Sequence, residues 1–401
     1  MHPDQRRWLV LLAGVCSNLC QGSAYAFSVY AKPLMEFLGC DKVSIGWAFT
    51  INVGFLAAGT IVAGKLADSK GPRMVILIGG VVFGCGLLLA GLGVKSLLWI
   101  YLTYGLMLSL ASGAAYGAAV GASVKWFPDK RGLASGIVVA ALGFGPVIIA
   151  PVAQKLISLY GILTTFQIFG VVFMVVICAA SWFITSPPKD YLPQGFVPKV
   201  PQGGAPVVNM TWTQMLGQGR FWLLYVLYVC GAFSGLLIIS QMKPFAMELA
   251  KLDDMKAAFV VSILAAANAS GRVVWGAVSD RIGRYLSLVF MFLITASAMF
   301  LMTKFSGSSY TLIPLVIFIG LCYGGYLGLF PSMCADAFGP KNLTLNYGLL
   351  FSAFSIAGAL GPYVGAKFAK DPNTAFIISG IICCFGLILA LMGNKFVKKT
   401  A

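Results

Sequence analysis

Long apolar runs separated by short polar clusters are the main pattern along the chain. Twelve runs can be marked, at about residues 8–30, 44–66, 74–94, 98–124, 132–157, 163–185, 220–246, 256–279, 285–303, 310–335, 344–367 and 374–396. Because about 20 consecutive apolar residues span a bilayer as a helix, each run predicts one transmembrane helix. The first run follows two arginines, as a signal peptide would, but it is too long for one, and we expect it to be retained. The pattern predicts an all-α membrane protein with twelve transmembrane helices.

A proline-rich polar segment divides the runs into two sets of six. We therefore expect an N-terminal six-helix bundle over residues 1–187, a cytoplasmic linker over 188–217 and a C-terminal six-helix bundle over 218–401. The composition agrees, because 59% of the 401 residues are hydrophobic and only 10% are charged. That leaves too little polar surface for a soluble protein of this size, so membrane lipids are expected partners.

The distribution of basic residues predicts the orientation. If both termini lie in the cytoplasm, 17 of the 28 Lys and Arg residues fall in cytoplasmic segments and 10 in outside loops. Such a bias is typical of cytoplasmic loops, so we expect both termini inside. The net charge of +16 is then a topology signal. Its dispersal over many short loops argues against a nucleic-acid partner.

Two halves of the chain also repeat each other. GKLADSKGPRM at 64–74 matches GAVSDRIGRYL at 276–286, and AKPLMEF at 31–37 matches MKPFAMEL at 242–249, at offsets of 212 and 211 residues. WFPDKRGLASG at 126–136 also aligns with AFGPKNLTLNYG at 337–348, with one extra residue in the second copy. Three matches at nearly one offset indicate a duplicated six-helix unit. Parallel repeats of this kind are typical of secondary transporters, with the substrate site expected near the membrane midplane between the halves.

The first repeated motif places glycines and charges at the end of a predicted helix. An aspartate there can accept hydrogen bonds from a neighbouring helix N-terminus, and an arginine can pair with a carboxylate. We interpret the two copies as a cytoplasmic gating motif that holds one conformation of a two-state carrier. The alternative is an ordinary basic loop. The motif residues are Gly64, Asp68, Gly71 and Arg73 in the first copy, and Gly276, Asp280, Arg281, Gly283 and Arg284 in the second.

One arginine, Arg272, falls inside an apolar run. It lies eight residues before Asp280, or about 12 Å along a helix, which places it near the midplane. A charge there costs roughly 2.5–3.5 kcal/mol, and such residues usually face a cavity. No Asp or Glu falls in the middle of a predicted span to pair with it. Since arginine grips a carboxylate through two parallel hydrogen bonds, the position predicts a site for a transported anion. A structural ion pair is the alternative.

Helical spacing suggests companions for Arg272. Asn268 lies four residues earlier, on the same helix face. Aromatic residues on other predicted helices are further candidates, and for Tyr116 and Tyr323 a carboxylate would be the polar partner that a buried hydroxyl needs. Lipid-facing or packing roles are the alternative for each aromatic residue. These candidates are Tyr116, Tyr323 and Phe351, with Tyr326 and Phe354 nearby and Leu142 as part of an apolar wall.

The chain offers few residues for catalysis or metal binding. Its only histidine is His2, near the N-terminus, and no pair of its ten cysteines has zinc-ligand spacing. We therefore expect no metal and no cofactor, and we expect a protein that is not an enzyme, because no buried histidine or acid–base pair is available.

The duplicated G-x-L-x-D-x-x-G-x-R pattern in a twelve-helix chain resembles the major facilitator superfamily. KWFPDKRGLASG at 125–136, RVVWGAVSDRIGRY at 272–285 and NYG at 346–348 resemble its branch of oxalate:formate antiporters and monocarboxylate transporters, including bacterial lactate transporter homologues. The resemblance implies the major facilitator fold and small organic anions as substrates. It assigns carboxylate binding to Arg272 and an aromatic cage to Tyr25, Tyr116, Tyr323 and Phe351. It also implies a monomer in the bacterial cytoplasmic (inner) membrane.

Some positions depart from these relatives. Phe354 aligns with a second cation of the oxalate carrier, so one carboxylate fits better than two. Asn268 stands where proton-coupled carriers have an aspartate, and Val29 where they have a lysine. The hypothesis is symport of a monocarboxylate such as L-lactate or pyruvate with a proton, whose binding place stays open. The alternatives are oxalate/formate-type antiport, a non-transporting sensor and, least favoured, an intramembrane enzyme.

Overall fold

The computed structural model describes residues 2–188, 191–196 and 209–400. These residues form fifteen α-helices, most of which follow the apolar runs of the sequence. The helices are α1 Pro3–Gln21, α2 Phe27–Leu38, α3 Lys42–Gly54, α4 Leu56–Lys70, α5 Pro72–Ala90, α6 Leu97–Ile100, α7 Leu108–Trp126, α8 Arg131–Phe183, α9 Trp212–Leu216, α10 Gly219–Glu248, α11 Asp254–Ile282, α12 Arg284–Phe305, α13 Ser309–Phe338, α14 Leu343–Lys367 and α15 Pro372–Thr400.

Three of the apolar runs are interrupted by irregular helical turns. A 3-10 turn, Gly22–Ala26, joins α1 to α2, and a π-helical turn, Tyr101–Met107, joins α6 to α7. Between α3 and α4 only Phe55 leaves the helical conformation. In the π turn the carbonyls of Tyr104 and Gly105 accept hydrogen bonds from the side-chain amide of Asn52, at 3.0 and 3.4 Å. Each interrupted run remains one continuous stretch across the membrane.

Within the described residues, eleven helical stretches are long and apolar enough to cross a membrane. One of them, α8, has 53 residues and would be about 80 Å long, far more than a core about 30 Å thick. Gly161 breaks it, with φ of 77° and ψ of 170°, a conformation that glycine adopts without steric cost. The stretch therefore makes two crossings, which brings the total to twelve. The predicted all-α membrane fold is confirmed.

The predicted linker contains a short helix that composition did not indicate. Residues 189–190 and 197–208 of that linker lie outside the described residues, but α9 lies inside it. Thr211 caps α9, and the side chain of Gln214 accepts a hydrogen bond from the Thr211 amide at 2.9 Å. The sequence TWTQ at 211–214 has the capping-box pattern, so the start of this helix could have been predicted.

The chain divides into two compact units, each built mainly from one predicted half. The first unit comprises Met1–Pro128, Ala141–Gln194 and Pro340–Leu349. The second comprises Asp129–Ala140, Gly195–Gly339 and Leu350–Ala401. Each unit thus includes one short segment from the other half, the start of α14 in the first and the start of α8 in the second. The predicted bundle boundaries at residues 187 and 218 stay a prediction.

Aromatic residues fill the core of the first unit around Tyr104. Its ring centroid lies 5.5 Å from that of Phe27, 6.2 Å from that of Tyr30 and 5.9 Å from that of Phe166. The Tyr104 hydroxyl donates to the carbonyl of Ala24 at 2.9 Å, within the 3-10 turn. The hydroxyl of this buried ring therefore has the acceptor that an apolar setting requires.

The core of the second unit is built in a similar way from α10, α12 and α13. The rings of Tyr228 and Phe330 stack with centroids 4.1 Å apart, and Phe292 lies 5.0 Å from Tyr326. Close approach of α11 to α13 is the other main feature of this unit, and it determines where Arg272 lies.

Candidate functional site

Arg272 is buried in the second unit, with only 7% of its surface exposed. Its Nη1 donates to the carbonyl of Val139 at 2.6 Å, and its Nε donates to Oδ1 of Asn268 at 3.3 Å. Among the described residues, no carboxylate lies within ion-pair distance of this guanidinium. The two bonds use two of its five N–H donors. The charge is therefore oriented by neutral oxygens, and donors remain for an anionic ligand.

Glycines bring the backbones of two other helices against Arg272. A Cβ atom at Gly328 of α13 would lie 2.7 Å from the carbonyl oxygen of Arg272. A Cβ at Gly136, near the start of α8, would overlap the same carbonyl, and one at Gly324 would overlap the carbonyl of Asn268. Only glycine permits such approach, as at other tightly packed membrane helices. The arginine backbone is thus held from two sides.

Tyr323 and Phe351 lie in the same unit as the arginine and are buried. The ring of Tyr323 covers Gly235 of α10, where a Cβ would overlap it, so α10 positions this ring. Phe351 stacks on Phe354 at 5.3 Å between centroids and lies 6.3 Å from Tyr228. The described contacts join Asn268 directly to the arginine. The contacts described for Tyr323 are with Gly235, and those described for Phe351 are with Phe354 and Tyr228.

The other predicted binding residues belong to the first unit. The hydroxyl of Tyr116 is hydrogen-bonded to that of Tyr347, at 3.1 Å. Tyr25 packs edge-to-face on Phe49 at 6.1 Å, and Leu142 is buried. The sequence reasoning missed Tyr347, although its place in the NYG motif was a signal that could have identified it.

The aspartate of the first gating motif caps a helix from the other half of the sequence. Asp68 accepts hydrogen bonds from the amide and hydroxyl of Thr344, at 3.2 and 3.0 Å, and from the amide of Leu345 at 3.0 Å. Lys125 pairs with it at 2.8 Å. A Cβ at Gly64 would lie 2.7 Å from the Cα of Leu345. A carboxylate at the N-terminus of α14 satisfies unpaired amides and complements the helix dipole.

The second gating motif makes the corresponding contacts in the second unit. Asp280 accepts hydrogen bonds from the amides of Gly132 and Leu133, at 2.9 and 2.8 Å, and pairs with Arg284 at 2.7 Å. A Cβ at Gly276 would overlap the carbonyl of Gly132. The first turn of α8 is therefore capped as the first turn of α14 is, so the sequence repeat is also a repeat of contacts.

The remaining motif residues have other surroundings. The guanidinium of Arg73 lies 3.9 Å from the ring centroid of Trp182, a cation–π contact in place of the carboxylate pairing that we expected. Gly71 and Gly283 form the turns that follow α4 and α11, each with φ of 94°. Arg281 is exposed.

Asp336, at the end of α13, is a charged residue that the sequence reasoning missed. It binds Arg131 at 2.6 Å and Arg284 at 2.9 Å. Repeat alignment pairs its position with that of Lys125, which binds the aspartate of the first motif. The two copies thus place opposite charges, Lys125 and Asp336, at one equivalent position. The alignment of the repeats was the sequence signal that could have identified Asp336.

Comparison with known proteins identifies the family. The sequence-family model described as Major Facilitator Superfamily matches residues 11–295 and 253–400, which together cover most of the chain. The chain belongs to the major facilitator superfamily. It is therefore a multi-pass membrane transporter, and the expectations of that family and of a protein that is not an enzyme are confirmed.

Relatives and solved structures agree with this membership. The chain is 29% identical over 390 residues to the oxalate:formate antiporter of Oxalobacter formigenes, covering 96% of this chain and 90% of that protein. It is 25% identical over 415 residues to monocarboxylate transporter 2 of Meriones unguiculatus, covering 96% and 84%. The crystal structure of the transporter FucP in the outward conformation matches with a TM-score of 0.71 at 17% identity, covering 96% of this chain and 98% of that one. The last likeness shows the fold alone.

Proposed function

We propose that this transporter carries small monocarboxylates, such as L-lactate or pyruvate, across the bacterial cytoplasmic membrane. The observation that supports this most is Arg272, which is buried at 7% exposure without a carboxylate partner among the described residues. Relatives named as an oxalate:formate antiporter and as monocarboxylate transporters support the same class of substrate.

The energetics of a buried arginine favour an anionic ligand with one carboxylate. Placing the charge in the membrane costs roughly 2.5–3.5 kcal/mol on insertion scales. A hydrogen bond between charged groups returns roughly 1.5–3 kcal/mol, and a carboxylate can accept two from one guanidinium. A bound carboxylate would therefore offset the cost of the charge. Since Phe354 stands where the oxalate carrier has a second cation, one carboxylate matches the available charge.

Further binding residues are proposed on the basis of resemblance and position. Tyr323 and Phe351 share the unit of the arginine and would contribute an aromatic wall there. Tyr25, Tyr116 and Leu142 are proposed as substrate contacts of the first unit, each to be tested by its own substitution. Asp68 and Asp280 are proposed to hold one conformation of an alternating-access cycle by capping α14 and α8.

The coupling mechanism is proposed to be proton symport, with the proton moving with the substrate. The side chains of Asp68 and Asp280 are only 6% and 12% exposed, but both residues lie near helix ends rather than in the middle of spans. Asn268 bonds the arginine where proton-coupled relatives have an aspartate. An empty carrier with a buried, uncompensated arginine would reorient slowly, so exchange of substrates should be faster than net uptake.

Uptake by proteoliposomes tests the arginine. Purified protein should accumulate labelled L-lactate, and Arg272→Ala should lose about a hundredfold in uptake, since two charge-assisted bonds are worth at least about 3 kcal/mol together. The matched control is Arg6→Ala, because Arg6 is an exposed arginine near the start of α1 that is not among the proposed binding residues. Full uptake by Arg272→Ala would exclude the arginine as the anchor of the substrate.

The coupling ion and the alternative function are tested in the same vesicles. An inward proton gradient should raise lactate uptake, and uptake that ignores the gradient would contradict symport. The second candidate, oxalate/formate-type antiport, is favoured by the identity to the Oxalobacter antiporter. Counterflow of labelled oxalate against oxalate or formate, without lactate transport, would replace the proposal with this one.

A further inference from the structure

A cavity of about 340 Å³ lies in the second unit, away from the arginine site. Its walls come from the start of α10, the turn between α11 and α12, and the ends of α13 and α15. These are helix ends rather than the middle of spans. By the charge bias of the loops, this end of the unit faces the cytoplasm.

The cavity is positively charged. Arg220 and Arg284 line it together with one carboxylate, Asp336. That carboxylate is already bound by Arg284 and by Arg131, at 2.9 and 2.6 Å. Arg284 has Asp280 as a second partner. Arg220 is exposed and forms no ion pair within the described ranges, so it is the cation that remains available to a ligand.

Two helix N-termini add partial positive charge beside Arg220. Neither α10, which begins at Gly219, nor α12, which begins at Arg284, is capped by a side chain. Gly283, Arg284 and Tyr285 line the cavity, so the first turn of α12 forms part of its wall. The first amides of a helix have no acceptor inside it and favour a negative group, above all a phosphate.

Apolar surface begins directly beside the cavity. Ile282, which lines the cavity, is 41% exposed. Trp222 and Met392, each two residues along the chain from a lining residue, are 53% and 50% exposed. In a membrane transporter such surface faces lipid, and tryptophan is typical of the level of the lipid headgroups. A ligand at this place therefore meets positive charge at the helix ends and acyl chains along the outer faces.

We propose that this cavity binds the phosphate of an anionic phospholipid, with Arg220 as its principal contact and the first amides of α12 as further donors. Basic pockets between transmembrane helices bind such headgroups in other membrane proteins. The volume is at the lower end of the range for small-molecule sites, which suits one headgroup. This binding is separate from the transported substrate and does not depend on the function proposed above.

Lipid retention by the full chain tests the proposal. The protein is reconstituted in nanodiscs with equal phosphatidylglycerol and phosphatidylcholine, released into detergent, and its bound lipids are counted by native mass spectrometry. Wild type should retain phosphatidylglycerol, Arg220→Lys should retain most of it, and Arg220→Gln should lose at least threefold. Arg220→Glu should lose more. Arg6→Gln, an equal change of charge at another exposed arginine, should match wild type.

The same experiment includes the results that would overturn the proposal. Equal retention by wild type, Arg220→Gln and Arg220→Glu would show that lipid does not bind at Arg220. Because Arg220 is exposed, each variant should keep the wild-type Tm in phosphatidylcholine alone, which separates lost binding from lost folding. A second arm adds inorganic phosphate or glycerol 3-phosphate at 1 mM (roughly a thousandfold above a micromolar site). If these ligands stabilise wild type but not Arg220→Gln while lipid does not, the site binds a soluble phosphate and the lipid assignment is wrong.

Discussion

Alanine at Gly328 tests whether close helix packing positions Arg272. The new Cβ would lie 2.7 Å from the carbonyl oxygen and 3.2 Å from the Cα of that arginine, while ordinary van der Waals contact begins at 3.4 Å. The backbone of α11 would therefore have to move by about 0.7 Å. Overpacking of this kind costs roughly 1–3 kcal/mol. The better helix propensity of alanine returns up to about 1 kcal/mol.

The matched control is Gly358→Ala on α14, in the same unit. There the nearest atom, a methyl carbon of Leu236, would lie 3.9 Å from the Cβ, so the substitution gains helix propensity without a clash. In detergent, Gly358→Ala should keep or raise the wild-type Tm, and Gly328→Ala should lower it by several degrees, about 2–4 °C for each kcal/mol. Lactate uptake should fall about tenfold or more in Gly328→Ala, because a misplacement near 1 Å can cost up to about a hundredfold.

Two results would refute this reasoning. If Gly328→Ala keeps both the wild-type Tm and wild-type uptake, the contact with α13 does not hold Arg272 in place. If both alanine variants lose stability equally, the effect belongs to glycine replacement in general and not to this contact. A loss of uptake in Gly328→Ala at unchanged Tm would still support the positioning role.

Two further predictions concern helix caps. Asp280→Ala should lower the free energy of unfolding by about 1–2 kcal/mol, since the first turn of α8 loses the acceptor of two amides. Glu36→Ala, which removes an exposed carboxylate, should leave the Tm nearly unchanged in the same thermal unfolding assay. Equal losses in the two variants would contradict the capping role of Asp280. At Asp41, which caps α3, a hydrogen bond from the Ser44 hydroxyl holds the pKa of the carboxyl below its usual range. The stabilisation of α3 by the ionised Asp41 should thus be present above the unfolded pKa, about 3.9, and should be lost as the pH falls through the folded pKa. The Tm difference between wild type and Asp41→Ala should therefore shrink in acid, and a Tm difference that stays constant with pH would contradict this capping role.

Much of the fold could be predicted from the sequence because the membrane imposes simple local rules. An apolar run of about 20 residues has to satisfy its own backbone hydrogen bonds, so length and hydropathy predicted each of the twelve crossings. The break at Gly161 fell between two predicted spans, where the chain turns. The duplicated motif likewise predicted that Asp68 and Asp280 have equivalent surroundings, since the same spacing of glycine and charge recurs 212 residues apart.

The candidate site could be predicted only in part. The sequence by itself determined that Arg272 lies near mid-span and that no Asp or Glu falls in the middle of a predicted span, because both follow from position and composition alone. Tertiary structure alone decided that the Val139 carbonyl orients the arginine, that Arg73 lies on a tryptophan ring, and that Asp336 joins two arginines. Such contacts connect residues far apart in sequence, and they depend on how closely glycine lets particular helix backbones approach, which no local pattern of apolar and polar residues specifies.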